Sequence, residues 1–393
     1  MARTRSSDLF PTDRPLPAEQ MIGRDADVRE IATTLAAGAN VVVAGPRRTG
    51  KTSVCDAVLQ RLASEHDAYV VAVDLFRIAT AAELAETLVA SALANRSGLR
   101  RAIHQTRRAG RIVADALQTS AIVRSKTQLG EELEIALRPG LAARDPERYL
   151  DYALALPARI AAADGKQLIV FFDEFQEVAN PRHPYGDPDR LTKRMRAIFQ
   201  RSAGVSFLFA GSIDHLMRDL FTPSQRALHQ FGGFHELRPI DVEDWERGLS
   251  KRFARDDCTV DRLALQLIVA YGRAHPRTTM LIAQKSHLTT IELEARHVDP
   301  SIVMQGLATA LEADRINHEQ TIERIRRLHK LGLVVAERLA QRRPVYRDLP
   351  RGAVRRALEA LRDAAIIESR GHGDWQFTSP LLERHLAQLD PWE

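Results

Sequence analysis

The segment that most constrains this chain is residues 45–52, Gly-Pro-Arg-Arg-Thr-Gly-Lys-Thr, a full match to the phosphate-loop pattern G-x-x-x-x-G-K-[ST]. An apolar run, 41–44, precedes it, and a segment with helical patterning, 53–62, follows it. A strand, a glycine loop and a helix N-terminus in this order direct backbone N–H groups and the positive end of the helix dipole at phosphate groups. The alternative is a chance glycine turn before a helix. The pattern in its context predicts that the chain binds a nucleoside triphosphate.

Residue types within this loop suggest separate roles. We expect Lys51 to reach the β- and γ-phosphates and Thr52 to place its hydroxyl on Mg²⁺. Two arginines inside the loop either reinforce phosphate binding or face solvent, another domain or a partner. The candidate nucleotide-binding residues of the loop are Pro46, Arg47, Arg48, Thr49, Gly50, Lys51, Thr52 and Ser53.

Two acidic residues, Asp173 and Glu174, follow the most hydrophobic predicted strand, 168–172. A bare carboxylate beside a buried strand costs roughly several kcal/mol unless it is paired. We therefore predict that Asp173 holds Mg²⁺, directly or through water, opposite Thr52. Glu174 is then placed to orient or polarise the water that attacks the γ-phosphate. The alternative is a strand that leaves the core through polar residues.

A serine, Ser212, follows the next apolar strand, 205–210. If this strand neighbours 168–172 in a parallel sheet, the Ser212 hydroxyl lies near the γ-phosphate and reports the nucleotide state. A serine that begins a turn after Gly211 explains the same pattern without a ligand.

The strands predict an α/β fold: a P-loop NTPase (AAA-like) domain with a parallel sheet, then a helical lid domain and a winged-helix domain. Continuous apolar strands that alternate with helices indicate a parallel sheet covered on both faces, with nucleotide at its carboxyl edge. After about residue 241 the strands stop, and helices are predicted at 242–255, 259–271 and 277–294. The predicted domains are a mobile arm (1–17), the P-loop domain (18–240, with a helical insertion at about 80–160), the lid (241–318) and the winged helix (319–393).

Composition narrows the choice of partners without naming one. The 393 residues are 45% hydrophobic and 27% charged, as in ordinary globular proteins. No apolar run approaches the roughly 20 residues of a membrane span, so we expect no membrane partner. The net charge of +5, from 56 basic and 51 acidic residues, is compatible with nucleic acid but does not demand it. Two cysteines without ligand spacing fit a reducing cytoplasm.

The C-terminal segment, 321–388, reads as three helices followed by a short hairpin, the order of a winged helix. The helix 351–364 takes the recognition position, and residues 370–373 form the wing tip. Packing on the nucleotide domain and binding of a protein partner are the alternatives to contact with duplex DNA. A second arginine-rich segment, 94–126, is either a solvated helix face or a surface for DNA or a second copy. The candidate DNA-binding residues are Arg351, Arg355, Arg356 and Arg370.

Four motifs together resemble the archaeal-type ATPase family, of the MNS clan within the STAND and AAA-like branch of P-loop ATPases. They are 21–24 (Met-Ile-Gly-Arg), the loop 45–52, 171–176 (Phe-Phe-Asp-Glu-Phe-Gln) and 209–212 (Phe-Ala-Gly-Ser). Their order and spacing are also similar to initiator ATPases of the origin-recognition type. The resemblance covers about residues 20 to 295 and, more loosely, the C-terminus.

This resemblance implies further roles. Ile22, Gly23 and Arg24 would lie against the adenine and ribose, and Ser212 would take the sensor position. Pro276 and Arg277 would take the lid position near the base. An arginine at the start of a lid helix could fold back onto the phosphates, although capping or solvation explains it equally well.

One departure concerns the arginine that a neighbouring subunit would supply. Many relatives carry Tyr-Gly-Arg after the sensor strand, whereas residues 230–234 here contain no arginine. Arg218 and Arg226 are the nearby substitutes.

The expected function is that of a cytoplasmic, slow, Mg²⁺-dependent ATPase switch whose nucleotide state controls the winged helix on DNA or a DNA-associated assembly. The alternative is a STAND-like signalling or defence ATPase that does not bind DNA and oligomerises, or binds protein partners, with ATP.

Overall fold

The computed structural model describes residues 5–95, 145–180, 187–371 and 373–388. Its contacts form two compact units. The sheet unit comprises Asp25–Gly45 and Lys51–Leu237, and the helical unit comprises Met1–Arg24, Pro46–Gly50 and Arg238–Glu393. The division at 237/238 falls close to the predicted end of the P-loop domain, and the separate lid and winged-helix domains stay predictions.

The strands of the described residues are β1 (Val41–Ala44), β2 (Tyr69–Asp74), β3 (Leu168–Asp173), β4 (Val205–Gly211), β5 (Gly233–Glu236), β6 (Thr259–Val260), β7 (His297–Val298), β8 (Ile367–Gly371) and β9 (Asp374–Phe377). The α-helices are α1 (Ser6–Leu9), α2 (Asp25–Ala36), α3 (Lys51–Glu65), α4 (Ala81–Ala94), α5 (Pro146–Asp164), α6 (Pro188–Phe199), α7 (Asp214–Phe221), α8 (Val242–Ala254), α9 (Arg262–Gly272), α10 (Pro276–Glu292), α11 (Pro300–Ala313), α12 (Arg315–Leu328), α13 (Gly332–Ala340), α14 (Arg351–Asp363) and α15 (Pro380–Gln388).

The sheet unit is built on a five-stranded parallel sheet in the order β2-β3-β4-β1-β5. Every residue of β1, β3 and β4 is buried. Strands covered on both faces must be apolar throughout, which explains the runs of valine, leucine and phenylalanine in the sequence. The predicted α/β P-loop fold with a parallel sheet is confirmed.

Aromatic rings fill the core on one side of this sheet. Phe172 stacks on Phe209 of the neighbouring strand with ring centroids 5.9 Å apart, and Phe199 of α6 stacks on Phe207 at 4.2 Å. Phe175, directly after the acidic pair, lies 4.6 Å from Phe209. Each fully buried phenylalanine contributes about 1.5–3 kcal/mol, so this cluster fixes the end of β3 against β4.

The helical unit has an apolar core that includes Trp245 and Phe253 of α8. Residues from the N-terminus belong to this core, because Phe10 is 0% exposed. Buried Arg252 donates hydrogen bonds to the backbone carbonyls of Leu9 and Gln20. Residues 6–10 of the predicted arm, 1–17, are therefore held against this core by the buried pair Leu9 and Phe10 and by carbonyl hydrogen bonds.

The segment 315–388 follows the predicted order of helices and hairpin. The helices α12, α13 and α14 precede the antiparallel pair β8–β9, in which Ile367 lies opposite Phe377. A separate apolar cluster that includes Val335, Val354 and Leu358 holds these elements together. Identification of this segment as a winged helix stays a prediction.

Two sequence predictions concern parts of the chain that are only partly described. Helices α4 and α5 belong to the predicted insertion at 80–160, whereas all arginines of the 94–126 segment lie outside the described residues. Among the helices of the described ranges, none combines the length and apolar character needed to cross a bilayer.

Candidate nucleotide-binding site

The strand order brings three predicted site segments to one edge of the sheet. In β1 and β4, Ala44 lies opposite Gly211, and in β3 and β4, Phe172 lies opposite Phe209. Parallel strands end at the same edge, so the residues that follow β1, β3 and β4 are neighbours there. Ligands of open α/β sheets bind at this edge.

The phosphate loop has the backbone conformation that its glycines allow. Gly45 has a φ of +148° and Gly50 a φ of +92°, values that side chains rarely permit, and open space surrounds the position of a Cβ at both. Helix α3 begins directly after the loop at Lys51. Backbone N–H groups at a glycine turn and a helix start suit the oxygens of a phosphate chain, so these residues fit a nucleotide.

Lys51 is 6% exposed, and its Nζ donates a hydrogen bond of 2.9 Å to the carbonyl of Gly45. The ammonium group is thus held at the end of β1. A lysine in this position supplies the point charge that polyphosphates require. Ser53, the third residue of the same helix, is also buried.

The two candidate metal ligands, Thr52 of α3 and Asp173 of β3, contact each other. Thr52 Oγ1 donates a hydrogen bond of 3.0 Å to Asp173 Oδ2, and Asp173 is 8% exposed. Two ligands at right angles and about 2.1 Å from a Mg²⁺ ion lie about 3 Å apart, so the spacing and the oxygen donors fit this ion. The other carboxylate oxygen of Asp173 accepts the backbone N–H of Glu174 at 3.1 Å.

Glu174 directly follows β3 in the left-handed conformation, with a φ of 52°. A non-glycine residue in this region stores strain and is often found at functional sites. Its Oε2 accepts a hydrogen bond of 2.6 Å from the Ser212 hydroxyl. The structure therefore brings two of the predicted catalytic residues, Glu174 and Ser212, into direct contact.

Gln176 completes this network, and reasoning from the sequence missed its role. Its side chain contacts both Glu174 and Ser212, and the residue is 1% exposed. The sequence contains a signal for this residue, because Gln176 ends the Asp-Glu-Phe-Gln motif. In the sequence analysis that motif indicated a family resemblance but no role for the glutamine.

Within the helical unit, the segment 22–24 is held by its neighbours. Arg24 is 6% exposed and donates to the carbonyl of Arg238 at 2.6 Å and to that of Thr49 at 3.4 Å. Gly23 has a φ of +62°, and a Cβ there would lie 2.7 Å from the Ile240 side chain. Arg24 thus supports the phosphate loop through a backbone carbonyl. Contact of Ile22, Gly23 and Arg24 with adenine or ribose stays a prediction.

His275, which directly precedes α10, links the start of this helix to the phosphate loop. The Nδ1 of His275 faces the backbone N–H of Thr278 at 3.3 Å, which makes Nδ1 an acceptor. Its Nε2 then carries the proton and donates to the carbonyl of Arg47 at 3.3 Å. The loop also has a hydrogen bond of its own, which Thr49 Oγ1 donates to the carbonyl of Pro46 at 3.0 Å. Pro276 occupies the first turn of α10, where its missing N–H costs nothing.

Arg277 forms an ion pair with Asp314, which belongs to the same unit. Its guanidinium donates to both carboxylate oxygens of Asp314, at 2.7 and 3.1 Å. Burial acts to raise the pKa of Asp314, but the hydrogen bonds and charge of Arg277 outweigh it and hold this pKa below its usual value. Loss of solvent, followed by the charge of Arg277, lowers the pKa of Arg48, although the residue as a whole is exposed. Contact between Arg277 and phosphate stays a prediction.

The candidate DNA-binding arginines Arg351, Arg355 and Arg356 lie on α14 and are exposed. Arg355 forms a surface ion pair with Glu359 at 2.9 Å. Arg370 lies in β8, and its side chain is outside the described part of the structure.

Arg218 and Arg226, the two candidates for a trans-acting arginine, both form ion pairs within the sheet unit. Arg218 pairs with Glu236, and Arg226 pairs with Asp189 at 3.0 Å and with Asp219 at 2.8 Å. The hydrogen bond that Arg226 donates to Asp219 is the largest cause of the raised pKa of Arg226.

Comparison with known proteins shows the fold. The sequence matches no protein-family model and no curated protein. A Walker-type ATPase of Pyrococcus abyssi is similar in structure, with a TM-score of 0.67 and 16% identity over 96% of this chain and 99% of that chain. The ORC2 protein of Aeropyrum pernix in its ADPNP–ADP complexes has a TM-score of 0.59 and 13% identity over 98% and 96% of the two chains. The chain therefore has the fold of these two proteins.

Proposed function

We propose that this protein binds and hydrolyses ATP with Mg²⁺ and acts as a molecular switch. The observation that carries the proposal is the contact between Thr52 Oγ1 and Asp173 Oδ2 at 3.0 Å, with Glu174 directly beyond it. A hydroxyl and a carboxylate at Mg²⁺ spacing, next to a second carboxylate and after a phosphate loop, are the groups that phosphoryl transfer to water requires.

In this proposal each residue has one chemical task. Lys51 neutralises charge on the β- and γ-phosphates, and the loop amides hold their oxygens. Thr52 and Asp173 hold Mg²⁺, which when bound neutralises charge that develops on the phosphate oxygens. Glu174 orients the attacking water and accepts its proton. Ser212 holds the Glu174 carboxylate in place.

The comparisons support the choice of nucleotide. One similar protein is described as a Walker-type ATPase, and the other was solved in ADPNP–ADP complexes. In both cases the likeness extends over nearly the whole of each chain. The domain organisation that we propose is 18–240, 241–318 and 319–393.

We further propose that the nucleotide state controls the C-terminal segment 319–393 as a winged helix on duplex DNA. The exposure of Arg351, Arg355 and Arg356 on one helix supports this step, because phosphate contacts require accessible cations. The second candidate is an ATPase that binds a protein partner or a second copy. It is supported by the pairing of Arg355 with Glu359, which leaves less free charge on α14.

Steady-state ATP hydrolysis with and without duplex DNA, at two salt concentrations, tests both proposals. We expect Glu174→Gln to retain ATP and to lose turnover, because the amide cannot accept the proton of water. Normal hydrolysis by this variant would show that Glu174 is not the base. Stimulation of the wild type by DNA that fades at high salt supports DNA binding. Hydrolysis unchanged by DNA favours the second candidate.

A further inference from the structure

The buried amide of Gln176 links the ends of β3 and β4. Gln176 lies in the short 3₁₀ helix Phe175–Ala179, directly after Glu174. Its Oε1 accepts the backbone N–H of Ser212 at 3.1 Å, and its Nε2 donates to Glu174 Oε2. A single side chain thus joins the residue after one strand to the residue after its neighbour.

The orientation of this amide follows from its partners. A backbone N–H can only donate, so the atom of Gln176 that faces the Ser212 nitrogen must be the oxygen. The Nε2 group, which can only donate, then faces Glu174 Oε2 and lies 3.4 Å from the Ser212 hydroxyl. The hydroxyl in turn donates to the same Glu174 oxygen at 2.6 Å. The three side chains therefore form a closed network with one self-consistent set of donors.

The surrounding structure leaves room for this amide and holds it. A Cβ at Gly211 would lie 2.7 Å from Gln176 Oε1, so the glycine before Ser212 makes space for the oxygen. Gln176 is 1% exposed and Ser212 is 3% exposed, so water does not compete for these hydrogen bonds.

We infer that Gln176 is the positioning residue for Glu174 in hydrolysis, an inference that rests on the proposed ATPase function. Glu174 is half-buried and leaves β3 in a strained left-handed conformation, so the strand alone does not fix its carboxylate. Both hydrogen bonds, from Gln176 and from Ser212, go to Oε2. They turn the carboxylate so that Oε1 is presented to the attacking water.

The isosteric substitution Gln176→Glu tests this inference. The new side chain can still accept the Ser212 N–H, but it replaces the donor to Glu174 with a second carboxylate. We expect kcat to fall by about tenfold to 100-fold, the usual effect of losing a supporting hydrogen bond, while ATP affinity stays within about twofold. Two carboxylates that face each other share a proton as the pH falls. The ratio of wild-type to variant kcat should therefore shrink at acidic pH, which a general packing defect would not produce.

A matched control is available at the opposite end of β3. Gln167 is also a partly buried glutamine, and its Nε2 donates to the carbonyl of Leu35 at 2.7 Å and to Ser206 Oγ at 3.2 Å. We expect Gln167→Glu to lower the melting temperature and to leave kcat unchanged. If Gln176→Glu does not fold, Ser212→Ala removes the other hydrogen bond to Oε2 and is expected to lower kcat with unchanged ATP affinity.

The outcomes separate this inference from the proposed function. If the wild type hydrolyses ATP, Glu174→Gln does not, and Gln176→Glu has wild-type kcat at all pH values, the positioning role is overturned and the ATPase proposal stands. Equal losses of kcat in Gln176→Glu and Gln167→Glu, without any dependence of the ratio on pH, also overturn it. A wild-type protein that binds ATP without hydrolysing it would instead refute the proposed reaction.

Discussion

Polar residues at the carboxyl edge of the sheet differ in setting from those on α14. At the sheet edge, Lys51, Asp173 and Ser212 are all less than 9% exposed and are hydrogen-bonded to groups on other elements. On α14, Arg351, Arg355 and Arg356 are exposed, and Arg355 pairs with a residue one turn away. Burying polar groups costs free energy that the fold must offset, whereas exposed arginines cost little. The positions of the polar groups at the sheet edge are therefore fixed by their hydrogen bonds, as a catalytic site requires. The exposed arginines of α14 could bind several kinds of partner.

Among substitutions in the two regions, we expect Lys51→Ala at the sheet edge to have the largest effect on ATP binding and turnover. Removing the buried ammonium deprives the phosphates of their point charge, so ATP binding and turnover should fall by about 100-fold or more. Lys166→Ala is the control, because Lys166 forms an exposed pair with Asp67 and should retain full activity. Equilibrium binding of a fluorescent ATP analogue measures the effect, and equal affinities of the two variants would contradict it.

Asp173→Asn should weaken the dependence on Mg²⁺. An amide oxygen is neutral, so a titration of turnover with Mg²⁺ should shift to concentrations about tenfold to 100-fold higher. Asp67→Asn, at an exposed position, should leave the titration unchanged. An unshifted titration in Asp173→Asn would remove Asp173 from the metal site.

These residues also show what could be predicted from the sequence. The contact between Thr52 and Asp173 could be predicted, because each residue belongs to a short motif that follows an apolar strand. The partner of Arg277 could not, since Asp314 lies 37 residues further along the chain and meets it through side-chain packing that no local pattern encodes. Gln176 does belong to the Asp-Glu-Phe-Gln motif, but the motif alone does not show that its amide contacts Glu174. The burial of Phe10 was missed for the same reason, because one apolar pair in a polar segment gives no periodic signal.

A buried ion pair in the helical unit, Arg277 with Asp314, provides a test that depends on pH. The pKa of Asp314 is lowered in the folded protein, so the pair stabilises the fold above the unfolded carboxyl pKa of about 3.9. This stability is lost as the pH falls through the folded pKa. At pH 7 we expect Asp314→Asn to lower the free energy of unfolding by about 1–3 kcal/mol, with the difference vanishing in acid.

Denaturant unfolding at several pH values measures this difference. The control is Asp363→Asn, which breaks an exposed pair with Arg362 and should change the free energy by less than about 1 kcal/mol at any pH. A destabilisation by Asp314→Asn that is constant between pH 7 and pH 3 would show that the ion pair does not cause it.

The smallest effect on the fold is expected from the triple substitution Arg351→Ala, Arg355→Ala and Arg356→Ala. All three side chains are exposed, so the free energy of unfolding should change by about 0.5 kcal/mol per site or less. If α14 contacts DNA, the slope of log affinity against log salt should decrease by about one for each lost phosphate contact.

The matched control removes three exposed arginines from α12, Arg324, Arg326 and Arg327, with the same change in net charge. Equal losses of DNA affinity in the two triple variants would indicate general electrostatic attraction and would break the assignment of α14 as the DNA-binding helix.

Single-turnover hydrolysis tests the role of the sheet edge most directly. Excess protein is mixed with radiolabelled ATP and Mg²⁺, and the bound nucleotide is separated over time for the wild type and for Glu174→Gln. We predict that the wild type converts bound ATP to ADP and that Glu174→Gln retains it as ATP. Conversion at equal rates in both proteins, or ATP that stays intact on the wild type, would contradict a catalytic site at the end of β3.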